Sequence, residues 1–182
     1  MVTASYWSPA QLVGYVALVL GVAAFSQKSD TRLKVLMSCE GFAYVAHFIL
    51  LGNYPASCSA GVSSVRMLVS LKSRAPWWIG VFVALNVALG AVFAKSALGW
   101  LPIGASCLAT VGVFVMQGLP LRVVLLVCTG LWLVNNALCG SVGGTVLEAL
   151  IALSNLATIC RMVAERVARQ RASASPALAK AG

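Results

Sequence analysis

Apolar residues run through this chain in long blocks. Charges, prolines and glycines cut the blocks at intervals near the 20 or so residues (range about 17 to 25) that a helix needs to cross hydrocarbon. The interruptions predict seven spans, roughly Pro9 to Ser26, Leu33 to Leu51, Tyr54 to Leu71, Trp77 to Phe93, Leu98 to Met116, Pro120 to Leu138 and Ser141 to Met162. The blocks are too long for barrel strands and lack their polar/apolar alternation, so helices are expected. Connections such as Gly52–Asn53 and Cys139–Gly140 are so short that consecutive helices must be antiparallel neighbours.

The polar positions inside these blocks recur. Phe25, Cys39, Gly41, His47, Arg66 and Lys72 are answered 89 positions later by Phe114, Cys128, Gly130, Asn136, Asn155 and Arg161. At the same offset Glu40 meets Thr129 and Ser59 meets Glu148. The pattern predicts an all-α membrane protein built as two parallel three-helix bundles joined by a linker helix, a 3+1+3 plan. Residues 1–76 form the first bundle, 77–97 the linker, 98–162 the second bundle, and 163–182 a basic, disordered tail.

Composition agrees. Of 182 residues 60% are hydrophobic and 9% charged, too few to coat a soluble domain, so the partner is the lipid bilayer. Lys28, Arg32, Lys34, Lys72, Arg74, Arg122, Arg161 and the tail cations fall on one side, and only Lys95 on the other. Positive loops stay in the cytoplasm, which puts the N-terminus outside and the C-terminus inside. The net charge of +9 is thereby assigned to topology and anionic headgroups, not to nucleic acid. With no basic segment ahead of Leu12, the first block reads as a retained helix in place of a signal peptide. The cysteines stand singly within spans and read as small packing residues, with Cys58 and Cys139 the one pair placed for oxidation.

Ionisable side chains within the hydrocarbon cost about 2.5 to 3.5 kcal/mol each and usually face a bundle interior or a water-filled cavity. The candidate solute-binding residues are therefore Glu40, His47, Arg66, Asn86, Asn136, Glu148 and Asn155. Helical spacing arranges them as an inner layer (Glu40, Arg66, Asn155) and an outer layer (His47, Asn136, Glu148), with Asn86 between. Glu40 and Arg66 reach similar depth, so an ion pair tying the first bundle together competes with a solute site. His47, with an imidazole that titrates ordinarily near about 6.5, offers proton coupling. No metal site or cofactor is expected, because a single His cannot build a multi-histidine centre. Motifs for zinc hydrolysis, nucleophilic serine, and nucleotide or dinucleotide binding are absent, so no enzyme is expected.

The string His47-Phe-Ile-Leu-Leu-Gly-Asn-Tyr-Pro-Ala56, the later Arg66, the stretch Trp132-Leu-Val-Asn-Asn136, and Gly140-Ser-Val-Gly-Gly-Thr145 followed by Glu148, Asn155 and Arg161 resemble the YgjV family of bacterial inner-membrane proteins, from about Gln11 to Arg161. The resemblance implies location and topology but no substrate. More distantly, the 3+1+3 plan is similar to the SWEET and PQ-loop transporters, in which an Asn on the third helix of each bundle contacts substrate. Asn155 stands at that place in the second bundle, Arg66 in the first, and the Pro-Gln dipeptide of PQ-loop helices is missing. Arg66 suits an anionic solute. The expectation is a transporter of a small polar or anionic metabolite working by alternating access. A non-transporting membrane scaffold or accessory subunit is the alternative, and homo-oligomerisation is left open.

Overall fold

The computed structural model describes residues 6–25, 30–73, 75–116 and 118–178. Lys28, Arg74 and Lys180, counted above toward the basic side, lie outside these residues, as do Ser26 and Gln27 at the first connection. The described residues form seven α-helices: α1 (Pro9–Phe25), α2 (Asp30–Leu50), α3 (Tyr54–Lys72), α4 (Trp77–Phe93), α5 (Trp100–Val115), α6 (Gly118–Leu138) and α7 (Val142–Leu178). A 3₁₀ turn over Ala97–Gly99 leads into α5.

Local chemistry sets the breaks. At the end of α2, Gly52 takes φ +73° and the Asn53 amide reaches back to the Phe48 carbonyl at 2.8 Å. At the end of α6, Gly140 takes φ +72° and the Ser141 amide reaches the Asn136 carbonyl at 2.9 Å. Both close the helix with a left-handed residue and a long-range capping bond, a conformation that glycine adopts at little cost. The next helix starts at once. The Asn53 carboxamide oxygen accepts the Ala56 amide and the Ser141 hydroxyl accepts that of Gly144, each satisfying an otherwise orphaned N–H.

The helices follow one another in space. α1 packs on α2, α2 on α3, α3 on α5, α5 on α6, α6 on α7, and α7 returns to α1. These six close a ring, and α4 lies outside it against α3 and α5.

Polarity is inverted relative to a soluble domain. Val19 (66%), Val127 (50%) and Leu153 (65%) lie on the exposed surface, whereas Gln11, His47, Asn86 and Thr110 are fully buried (0%). Such a distribution suits a molecule whose surroundings are hydrocarbon. Among the described residues, Ala97–Val115, Gly118–Leu138 and Val142–Gln170 are long and apolar enough to cross a membrane by length and composition, and Pro9–Ala24 and Trp77–Phe93 are apolar but shorter. In α2 the charges Asp30, Arg32, Lys34 and Glu40, and in α3 the serines with Arg66 and Lys72, dilute the apolar character.

The tail differs from expectation. Helix α7 continues to Leu178 where the sequence predicts a disordered tail from residue 163. The stretch Met162-Val-Ala-Glu-Arg-Val-Ala-Arg-Gln-Arg171 consists largely of good helix formers, and it simply prolongs the preceding helix.

Candidate functional site

Each ring helix turns one polar arc inward. On α2, Tyr44, His47 and Phe48 are buried, Val35, Phe42 and Ile49 are exposed, and Glu40, one turn from Tyr44 and two from His47, lies on the buried arc. On α7, Gly144 and Asn155 are buried, as is Ser141 just ahead of it, Val146, Leu150 and Leu153 are exposed, and Glu148 falls in the middle of the buried arc. On α6 the inward arc carries Cys128, Thr129, Asn135 and Asn136.

At the end where the α2–α3 and α6–α7 turns lie, three helices meet on His47. Its Nδ1 contacts the Ala10 carbonyl at 2.6 Å and its Nε2 the Ser141 hydroxyl at 2.7 Å. A carbonyl only accepts, so Nδ1 carries the proton and donates, and Nε2 of the neutral ring accepts from Ser141. Beside it Gln11 clamps the α6–α7 turn, donating from Nε2 to the Gly140 carbonyl at 2.6 Å and accepting the Val142 amide at 3.1 Å. Gly14 lies directly under the imidazole: a Cβ there would stand 2.7 Å from His47 Cε1. His47 is thus a crosslink among α1, α2 and α7.

Arg66 turns the other way. Its Nη1 donates to the Ser106 carbonyl at 3.1 Å and to the Thr110 hydroxyl, both on α5. The expected ion pair with Glu40 is not formed. Similar depth on neighbouring helices sets the level of two side chains but not the direction in which each points, and Arg66 points to α5. Asn86 is likewise committed, accepting from the Ser59 hydroxyl at 3.3 Å and donating to the Phe82 carbonyl at 2.9 Å. It ties α4 to α3 and does not bridge the two expected layers.

The carboxylates behave differently. Glu40 and Glu148 are each partly accessible although they lie on buried arcs, and among the described residues neither has a hydrogen bond or ion pair. Glu40 and Glu148 interact at long range with each other and with the Tyr44 hydroxyl, without a hydrogen bond among the three. That hydroxyl is buried without a partner, as are Asn136 Oδ1 and Asn155 Oδ1. Asn155 donates from Nδ2 to the Arg122 carbonyl at 2.9 Å. Buried polar atoms of a native protein nearly all find partners, so each of these atoms marks a place for a buried water or a neighbouring polar group.

Sequence reasoning assigned no role to Tyr44 or Gln11. Tyr44 stands one turn from Glu40, a spacing that marks it in retrospect; Gln11 is marked only by being the polar residue of an otherwise apolar helix. Cys58 and Cys139 are free thiols. At the same end a cleft of about 490 Å³ opens between the α2–α3 turn, the α4–α5 connection and α6. Asn53, Lys95 and Asn135 are among its lining residues, and Asn53 Nδ2 donates to Asn135 Oδ1 at 2.9 Å.

Residues 8–166 match the Imp-YgjV family, whose description is "bacterial inner membrane protein". The chain belongs to this family. It is 32% identical over 157 residues to "Inner membrane protein YgjV" of Escherichia coli (strain K12), covering 86% of this chain and 85% of that one. No solved structure matches the chain. As a family member it is an integral protein of the bacterial inner membrane, and its inverted polarity has its solvent: the exposed valines and leucines face lipid.

Proposed function

We propose that this protein carries a small polar solute across the bacterial inner membrane by alternating access. The observation that carries the reading is the pair Glu40 and Glu148. They come from opposite halves of the chain, lie on the buried arcs of their helices, are partly accessible, and take no hydrogen-bond or ion-pair partner among the described residues. A structural polar residue in a membrane normally ties helices together, as His47, Arg66 and Asn86 do here. Two carboxylates left open inside a ring have a different use.

In this reading all seven helices cross the bilayer, with the N-terminus outside and the basic end of the ring in the cytoplasm. The first bundle is α1–α3, the second is α5–α7, and α4 is the linker. The 89-residue offset supports the division, because it lays α1 on α5, α2 on α6 and α3 on the start of α7. Exchanging the halves then turns the α3–α5 contact into the α7–α1 contact, and both are present. The bundles would rock across these two seams, as repeats do in other transporters. The plan is SWEET-like in architecture. Arg66, engaged by α5, no longer favours an anionic solute.

The satisfied junctions at His47, Arg66 and Asn86 favour a second reading, a membrane scaffold with no solute. Flux separates the two. Purified protein in liposomes, offered a panel of neutral, anionic and cationic metabolites, is expected to move at least one class faster than protein-free vesicles do. Glu148→Gln should slow that flux by about tenfold or more, since a hydrogen bond to a charged group contributes about 1.5 to 3 kcal/mol. Absence of flux for every class would leave the scaffold reading, and flux unchanged in Glu148→Gln would keep transport but remove Glu148 from its path.

A further inference from the structure

The cleft between the α2–α3 turn, the α4–α5 connection and α6 is built from parts that hold one another. At the α2–α3 turn Asn53 caps α3 and donates from Nδ2 to Asn135 Oδ1 on α6 at 2.9 Å. In the α4–α5 connection the Ser96 hydroxyl accepts the Gly99 amide at 3.4 Å. Tyr54 and Phe93, which both line the cleft, have ring centroids 6.4 Å apart. At about 490 Å³ the space falls within the range of about 300 to 1,000 Å³ typical of small-molecule pockets, which are mostly apolar with a few polar groups.

The polar groups left over in this cleft are donors. Asn135 is 5% exposed, its Oδ1 is taken by Asn53, and its Nδ2 has no partner. Ser96 uses its oxygen as an acceptor, which leaves its proton to give. Lys95 lines the same cleft, is exposed, and takes no hydrogen bond or ion pair among the described residues. No acid stands among the described residues that line the cleft, so its ammonium has no counter-ion there. Ammonium and amide N–H groups both need an acceptor, and an anionic oxygen that only accepts satisfies both. The remaining lining, Leu51, Leu101 and Leu138 with the Tyr54 and Phe93 rings, suits an apolar body.

From these observations we propose that the cleft is a binding site for an anion carrying an apolar body, either a small carboxylate or the phosphate of an anionic lipid, with Lys95 and Asn135 holding the charged end. The site lies at one end of the molecule and needs no passage through it. It therefore goes beyond the transport reading and does not depend on it.

Binding tests it. Full-length protein in phosphatidylcholine nanodiscs is titrated calorimetrically with phenylacetate, with its neutral isostere phenylacetamide and with the cation benzylamine, and the heats of empty nanodiscs are subtracted. Phenylacetate is expected to bind at least about tenfold more tightly than the other two. Lys95→Gln should weaken it by about tenfold and Asn135→Leu by about threefold, whereas Lys95→Arg keeps the charge and most of the affinity. Cys139 lines the cleft and reports locally: phenylacetate should slow its alkylation by N-ethylmaleimide and leave that of the exposed Cys39 unchanged. Native mass spectrometry from nanodiscs that also contain phosphatidylglycerol separates the two sources of the anion. Phosphatidylglycerol retained by the wild type and shed by Lys95→Gln identifies a lipid as the occupant, and equal retention together with selective phenylacetate binding identifies a soluble acid. Phenylacetate bound no better than phenylacetamide, with lipid retention the same in both proteins, overturns the inference. So does phenylacetate affinity unchanged in Lys95→Gln, or binding that leaves Cys139 unprotected.

Discussion

Replacing Gly143 by alanine will destabilise the protein by about 1 to 3 kcal/mol, although the same substitution in an open helix is stabilising. A Cβ at Gly143 would stand 2.6 Å from the Gly14 carbonyl oxygen and 2.8 Å from the Gly14 carbonyl carbon. These atoms are backbone, so no rotamer change relieves the clash, and α1 must move away from α7. Overpacking of this kind typically costs about 1 to 3 kcal/mol. Against it stands a gain in helix propensity smaller than the about 1 kcal/mol for Gly to Ala in a helix interior, because Gly143 is the second residue of α7. The clash wins because small residues at a membrane helix crossing let the backbones approach, and lipid supplies no compensating drive to re-associate. Gly130→Ala is the internal control. A Cβ there meets nothing within 4 Å, so α6 should gain stability by up to about 1 kcal/mol. Unfolding in mixed micelles measures both variants, and equal effects would refute the close α1–α7 crossing.

Loss of His47 should be of similar size, for a different reason. Single interhelical hydrogen bonds in membranes average about 0.6 kcal/mol, so its two bonds alone contribute little more than about 1 kcal/mol. The ring also fills the space over Gly14, and removing it leaves a void that Gly14 cannot fill. Large-to-small changes at such buried sites cost about 2 to 5 kcal/mol, and His47→Ala is expected near the lower end, about 2 to 3 kcal/mol. Ser141→Ala removes only the hydroxyl and should cost about 1 kcal/mol. In a double-mutant cycle the two should be non-additive, because both remove the same Nε2 bond. Strict additivity would contradict the shared bond.

The comparison of sequence and structure turns on what a linear pattern encodes. Helix ends were legible because Pro, Gly and Asn mark them locally: Trp77 to Phe93 is both the expected span and the observed helix, and α3 begins at Tyr54 behind the Asn53 cap. Membership in the inner-membrane family was legible in the motif around His47 and in the residues from Trp132 to Arg161. Azimuth was not. Glu40 and Arg66 share a level, but Arg66 finds a backbone carbonyl and a threonine on a helix 40 residues away in sequence, partners that no motif announces. The sequence puts Glu40 and Glu148 in separate layers and separate bundles, and the structure places each on the buried arc of its helix. After Arg161 the basic, alanine-rich sequence serves equally as a tail or as an extension of the last helix, and the helix already under way decides for continuation to Leu178.

The central claim is that Glu40 and Glu148 border one water-accessible interior. It is tested most directly by thiol accessibility in a cysteine-free background. Glu40→Cys, Glu148→Cys and Leu153→Cys proteins are treated in intact membranes with a water-soluble, membrane-impermeant thiosulfonate, which reacts with ionised thiols and therefore needs water. The account predicts modification at positions 40 and 148, from one face of the membrane or the other, and none at Leu153, which is 65% exposed but faces lipid. Positions 40 and 148 as unreactive as 153 would contradict it.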